Sequence, residues 1–412
     1  MEATNGATTP SIPSPERSGP SAPPTPGPAP TLTPLRAVGQ GQGAWTPVPG
    51  SELVPPNVLA APAGSNGVLL LAGVSSAACE PPERKGRGTP AAFYDAQSHT
   101  ITSVTAVADQ HSFAMATLGD GRVLIAGGYG TQDSAPEPTS RTQIWDARTR
   151  AWTEGARMNL GRSNAALVTM SDGRVIALGG WTSSQGEDCP DCEMPTETAE
   201  IYDPATNRWT LTAPIDLRAA DGEPEEFDQV VALAGGQLLA LAAYGPAALY
   251  DPGSDTWTPA DAGGGLVSMA LPDGTALRFG IEYPGGESDI EVPYAARFDS
   301  SSGTRTVGHL RPEWGAATAV LADGRVLMAG GVVEDTTGFL NVYLDTAEVF
   351  DPDTGVRTAI AAMPVARGMS IAVPLPDGSV LMIGGVDVAE SPPGSDAARC
   401  VPMEHRAVRW MP

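Results

Sequence analysis

The side chains best equipped for chemistry are four cysteines, four histidines and a run of carboxylates. Cys189 and Cys192 form the sequence CPDC. A zinc site needs four ligands, and the chain offers no second CxxC and no closely spaced histidine pair to complete one. A redox-active CxxC needs surroundings that stabilise a thiolate. Here Glu187, Asp188, Asp191 and Glu193 surround the pair and oppose one. The expectation is therefore a local disulfide, Cys189 to Cys192, with no metal. The same carboxylates, with Asp216, Asp221, Glu223, Glu225, Glu226 and Asp228, are the hard oxygen ligands that calcium favours. Their spacing matches no calcium loop, so they read as a solvated acidic edge.

The elements that must position these groups are short strands. Arg162 to Thr212 reads as apolar run, Asp172-Gly173 turn, apolar run, Gly179-Gly180, loop, a strand ending Tyr202-Asp203, a tight turn and a strand carrying Trp209. A sheet of four such strands cannot bury both faces alone, so it must stack on copies of itself. The copies exist. Ala72-Gly73, Gly127-Gly128, Ala242-Ala243, Gly280-Ile281, Gly330-Gly331 and Gly384-Gly385 match Gly179-Gly180. Tyr94-Asp95, Trp145-Asp146, Tyr250-Asp251, Phe298-Asp299, Phe350-Asp351 and, in altered form, Trp410-Met411 match Tyr202-Asp203. Successive glycine-pair positions lie 38 to 63 residues apart.

The pattern resembles the kelch family over residues 44–412. The resemblance implies an all-β, seven-bladed propeller of four-stranded blades. Ala44-Trp45-Thr46-Pro47 aligns with Arg208-Trp209-Thr210-Leu211, while the last unit lacks a fourth strand. The N-terminal strand is thus expected to complete the seventh blade and close the ring. Residues 1–42 are rich in Pro, Ser and Thr and read as a disordered tail, leaving 43–412 as the propeller. In a closed ring the first and seventh units are neighbours, and Cys79 and Cys400 are expected to form a disulfide between them.

Turns after the first and third strands are short, and the other connections are long and varied. The latter share one face, where a rigid scaffold would present a binding site. In the kelch family the start of the innermost strand often carries an arginine that lines a ligand pocket. Arg162 and Arg367 keep it, and counting from the turns places Gln110, Glu225 and Glu313 at the same position in other units, with His111 and Trp314 one residue later. Neighbouring units would bring Arg162 to Glu225 and Glu313 to Arg367. Tyr129, Trp181, Tyr244 and Tyr283 follow the glycine-pair positions and offer rings for a sugar or peptide. Trp152, Trp209 and Trp257 fall at packing positions.

Some seven-bladed kelch proteins resemble galactose oxidase, whose copper radical site needs two His, two Tyr and a Cys. No Tyr–His set of that kind can be placed on His99, His111, His309 or His405. A sialic-acid-epimerase-like set is imitated by Arg162, Glu225, Arg367 and His111. The reading is a binding module without catalytic residues or a cofactor, holding a protein or glycan on the long-loop face. The alternatives are a carbohydrate-active enzyme with Glu225 or Glu313 as acid/base, and a structural cell-surface protein. The net charge of −24 repels phosphate backbones and excludes nucleic acid as the expected partner. No apolar run of membrane-spanning length occurs. An even number of loop cysteines points to an oxidising, extracytoplasmic location, with no signal segment visible, and a monomer is expected.

Peptide mapping of the unreduced protein is expected to yield Cys79 linked to Cys400 and Cys189 linked to Cys192. Free thiols at the first pair in protein from its native compartment would remove the argument for an oxidising location.

Overall fold

The computed structural model describes residues 35–36, 43–55, 58–73, 89–107, 110–130, 137–183, 193–215, 227–242, 247–262, 267–282, 292–309, 315–334, 341–386 and 406–412. All four cysteines lie outside the described residues, as do Glu225, Tyr244, Tyr283, Glu313 and Trp314.

The first hairpins form because Asx-Gly turns end the apolar runs. In blade 3, the Asp172 carboxylate accepts the backbone N–H of Arg174 at 3.0 Å and pairs with its guanidinium at 2.7 Å. Asp120 with Arg122 and Asp323 with Arg325 repeat the arrangement. Gly173, between them, sits at φ 85°, a region that glycine enters without strain. The second hairpins turn on the aspartate of the Tyr-Asp motif, which accepts backbone N–H groups two residues on, as Asp203 does from Ala205 at 2.8 Å.

Each repeat makes one antiparallel sheet. Blade 3 has Ala166–Thr169, Val175–Leu178, Ala199–Asp203 and Arg208–Leu211, from centre to rim. The second strand is the hub of every blade. Val175 to Leu178 are all fully buried, and the alternation of a strand divides them. Val175 and Ala177 pack towards blade 2, whereas Ile176 and Leu178 pack towards blade 4. Leu69 and Leu71 face blade 2 in the same way, while Val68 and Leu70 face blade 7. The run is continuously apolar because both faces are interior.

Seven such sheets form a closed ring, a seven-bladed β-propeller. The expected closure is observed. Ala44–Pro47 pairs antiparallel with Ala407–Met411 and supplies the rim strand of blade 7, with Trp45 opposite Trp410. One buried cluster joins Val373, Leu381 and Ile383 of blade 7 to Val58, Leu70 and Tyr94 of blade 1. Rim tryptophans tie blades 2, 3 and 7 to the blade before each. The indole N–H of Trp152 donates to Thr105 O at 2.9 Å, that of Trp209 to Ala156 O at 3.0 Å, and that of Trp45 to Ala361 O at 2.8 Å. Trp209 also packs on Tyr202, with ring centroids 5.1 Å apart. These residues are packing groups, as their register suggests.

One detail departs from the expected boundary at residue 42. Leu35–Arg36 pairs in parallel with Arg357 and Thr358 and adds a short fifth strand to blade 6. Among the described residues, no helix is long and apolar enough to cross a membrane.

Trp45→Ala removes both a ring contact and the bond to blade 6. We expect a loss of about 3 kcal/mol in urea unfolding, at the low end for a truncated core aromatic. Trp45→Phe, which keeps the ring contact, is expected to lose less than half of that. Equal losses for the two would show that the closing strand is not held through its side chain.

Candidate functional site

The inner-strand starts divide into residues that brace the ring and residues that face its mouth. Arg162, Arg367 and Gln110 belong to the first kind. All three are 0% exposed. This corrects the expectation that they line a ligand pocket. The Arg162 guanidinium donates to the carbonyl of Gly179 at 2.9 Å, to that of Thr198 at 3.0 Å and to Glu200 Oε1 at 3.0 Å. Its ion-pair partner is thus Glu200, two strands away in its own blade, while the expected partner Glu225 lies outside the described residues. Burial lowers the Arg162 pKa from its ordinary value, and Glu200 pushes it back up. Glu200 is saturated by further donors: the backbone N–H of Asn159 at 2.7 Å, its side-chain amide at 2.8 Å, and the N–H of Leu160 at 3.0 Å. The carboxylate therefore anchors the connection from blade 2 to blade 3.

Other blades fill the same two positions with different pairs. In blade 2 they are Gln110 and Gln143, bonded at 2.9 Å, and Gln110 donates to the carbonyls of Gly127 and Arg141. In blade 6 the third-strand residue is Glu348, which takes its cation from Arg357 at the rim, 2.6 Å away. In blade 7 the third-strand position is Val408, and Arg367 donates to the carbonyl of Gly384 at 3.3 Å. Counting from the turn also misplaces blade 4. There Phe227 sets its carbonyl against Gly179 as Arg162 sets its own against Gly127. A register shift also falls between Phe227 and Gln229, at the start of that strand. The first glycine of the pair is required at these contacts: a Cβ on Gly127 would lie 2.2 Å from the Arg162 carbonyl oxygen.

The residues facing the mouth meet between blades 2 and 3. His111 and Tyr129 are joined by backbone bonds of 3.1 and 2.8 Å, and their rings lie 5.5 Å apart at 31°. Ser163 and Trp181 repeat that bridge in blade 3, at 2.9 Å in both directions. Beyond Trp181 the chain forms a small hairpin, Trp181–Ser183 with Glu193–Pro195. Trp181 opposes Pro195 and Ser183 opposes Glu193, so these four side chains share one face. That face looks at blade 2, because the Tyr129 hydroxyl donates to Glu193 Oε2 at 2.7 Å and accepts from Ser163 Oγ at 2.8 Å. Burial and the bond to Glu193 raise the Tyr129 pKa, so the phenol remains a donor at neutral pH. The result is a cleft with aromatic walls, a hydroxyl pair and a carboxylate. His111, Tyr129, Trp181 and Glu193 are all half-buried.

The structure thus unites His111, Tyr129 and Trp181 of the expected set and adds Ser163 and Glu193. It removes Gln110, Arg162 and Arg367 to the interior. His99 stands apart, on the outer hairpin of blade 1, bonded to the Tyr94 hydroxyl at 3.0 Å. Among the described residues, no three His, Cys, Asp or Glu side chains converge as metal ligands.

A kelch motif model matches residues 162–214, which is blade 3 and the start of its exit. The chain is a seven-bladed β-propeller whose third blade carries a kelch motif. Over 356 residues it is 23% identical to a galactose oxidase of Gibberella zeae, covering 84% of this chain and 44% of that protein. Over 250 residues it is 20% identical to Kelch-like protein 25 of Xenopus tropicalis, covering 59% of this chain and 39% of that one. The chain therefore spans less than half the length of these relatives. A solved fungal alcohol oxidase of the AA5 family, in complex with copper, superposes with a TM-score of 0.64 at 19% identity, over 90% of this chain and 76% of its own. At that identity the likeness is one of fold.

Removing one member of a buried, hydrogen-bonded ion pair costs about 3–5 kcal/mol, so Arg162→Ala is expected to destabilise the propeller by that order. The double variant Arg162→Gln with Glu200→Gln copies blade 2 and should regain at least half of the loss in urea unfolding. Additive losses from the two glutamine substitutions would contradict the bracing role.

Proposed function

We propose that this kelch propeller is a non-enzymatic binding module whose ligand, a protein or a glycan, occupies the cleft between blades 2 and 3 on the long-loop face. The observation that carries this reading is the chain Ser163–Tyr129–Glu193, set between the half-buried rings of His111 and Trp181. Rings give contact area at low entropic cost, and the hydroxyls and carboxylate fix orientation. Kelch propellers commonly serve protein interaction, which agrees with this use. The loop cysteines and the Pro-rich N-terminal segment support an extracytoplasmic, tethered setting for a monomer. The second reading, a carbohydrate-active enzyme, draws on the same cleft, where a carboxylate, a phenol and an imidazole stand together, and on the galactose oxidase relative. It would be supported by turnover of a sugar that Glu193→Gln abolishes.

A glycan array and a panel of surface proteins, presented to the full chain, test the proposal. The expected result is capture of at least one ligand, weakened by about 10-fold or more in Tyr129→Ala and Trp181→Ala, on the scale of binding hot spots, with an almost unchanged Tm. Capture that both variants retain would place the binding surface elsewhere.

A further inference from the structure

Among the described residues, Glu193 is a half-buried carboxylate with no cation beside it. Its recorded bond is the one donated by the Tyr129 hydroxyl, and among the described residues no arginine or histidine stands within ion-pair distance of it. Glu200 and Glu348 are buried in the same fold, and each holds an arginine, Arg162 at 3.0 Å and Arg357 at 2.6 Å. A carboxylate taken partly from water gains most from a counter-charge supplied at close range. The faces of the Tyr129 and His111 rings and the indole of Trp181 are disposed around the same cleft, and aromatic faces attract cations through their quadrupole. The molecule's charge of −24 draws positive ligands towards it from solution.

We propose that the cleft between blades 2 and 3 takes the guanidinium or ammonium group of an arginine or lysine side chain on a polypeptide partner, with the charge against Glu193 and the aliphatic stem along the rings. The inference rests on the binding reading above and narrows it to one chemistry. Trp181 supplies contact, and Ser163, buried behind the cleft, holds the Tyr129 hydroxyl in place. The Tyr129 hydroxyl, donating to one oxygen of Glu193, orients the carboxylate so that the other is left to the incoming cation.

The test uses the full chain and two small peptides, acetyl-Gly-Arg-Gly-amide and its citrulline counterpart, with a methyl galactoside as the uncharged alternative, each titrated by NMR. The arginine peptide is expected to bind in the millimolar range. The citrulline peptide, isosteric but neutral, is expected to bind at least about 10-fold more weakly, and Glu193→Gln is expected to lose the difference while keeping the Tm. Binding of the arginine peptide should also weaken several-fold as the Debye length shrinks from about 30 Å to about 8 Å with added salt. Equal binding of the two peptides, no binding of the arginine peptide, or an unaltered preference in Glu193→Gln would each overturn the inference. Binding of the galactoside without the arginine peptide would overturn it while leaving the cleft as the binding surface.

Discussion

The second strand is buried and apolar on both sides in every blade but the fifth, where Arg278 interrupts the run, and the architecture depends on that constraint. A sheet with one greasy face needs one partner, whereas a sheet whose hub strand is buried on both faces needs two. Leu69 and Leu71 have no shelter unless blade 2 is present, and Val68 and Leu70 have none unless blade 7 is. Each fully buried leucine of this kind is worth about 1.5–3 kcal/mol relative to exposure. No blade is therefore stable at an open end, and the array has to return on itself. The chain meets this demand by dividing its last blade between its two ends, with Ala44–Pro47 as the rim strand beside Ala407–Met411.

Close packing at the centre then creates a polar problem. The glycine pairs let the inner strand of the next blade approach until its carbonyl touches the backbone, which leaves carbonyl groups buried near the axis. Arg162 and Gln110 answer them with side-chain donors, and a third-strand residue completes each brace. The pairs are chemically varied but balanced: Gln with Gln, Arg with Glu, and Glu348 with a rim arginine. An unanswered buried charge would cost more than the brace returns, so blades 2 and 3 fill the two positions as a pair, whereas blade 7 sets Arg367 above Val408 and turns it to the carbonyl of Gly384.

That rule explains which parts of the molecule were legible in the sequence. The blades were, because turn chemistry and two-faced burial write themselves into every repeat. Ring closure was too, since Trp45 carries the rim signature with no blade before it. The role of Arg162 was misread because a polar residue at an inner-strand start looks the same whether it points to the mouth or to the interior. The distinguishing sign was present. The third strands TAEIYD, RTQIWD and TAEVFD each place one polar residue inside an apolar run, at Glu200, Gln143 and Glu348. Reading first and third strands together would have paired Arg162 with Glu200. The offset in blade 4 was not legible, because counting back from a turn assumes an inner strand of equal length, and there Phe227 makes the central contact nearer the turn. The Glu193 contact was hidden for a different reason: it joins two blades through a hairpin grown from a loop, and loop length carries no register.

A ring of near-identical units has no preferred sector, so function requires that symmetry be broken locally. Here the break costs the core nothing. Blade 3 keeps its four strands and extends the loop after Gly180 into a hairpin, whose inner face is brought against Tyr129 of the neighbouring blade. Blade 6 makes a similar extension with Val332–Glu334 and Asn341–Tyr343, but there the hairpin packs Val332 and Tyr343 around Gly368 of blade 7. One extension closes over an apolar contact, while the other ends on a carboxylate and a phenol. The same backbone device thus yields a structural buttress in one sector and a polar cleft in another, and only side-chain chemistry separates the two.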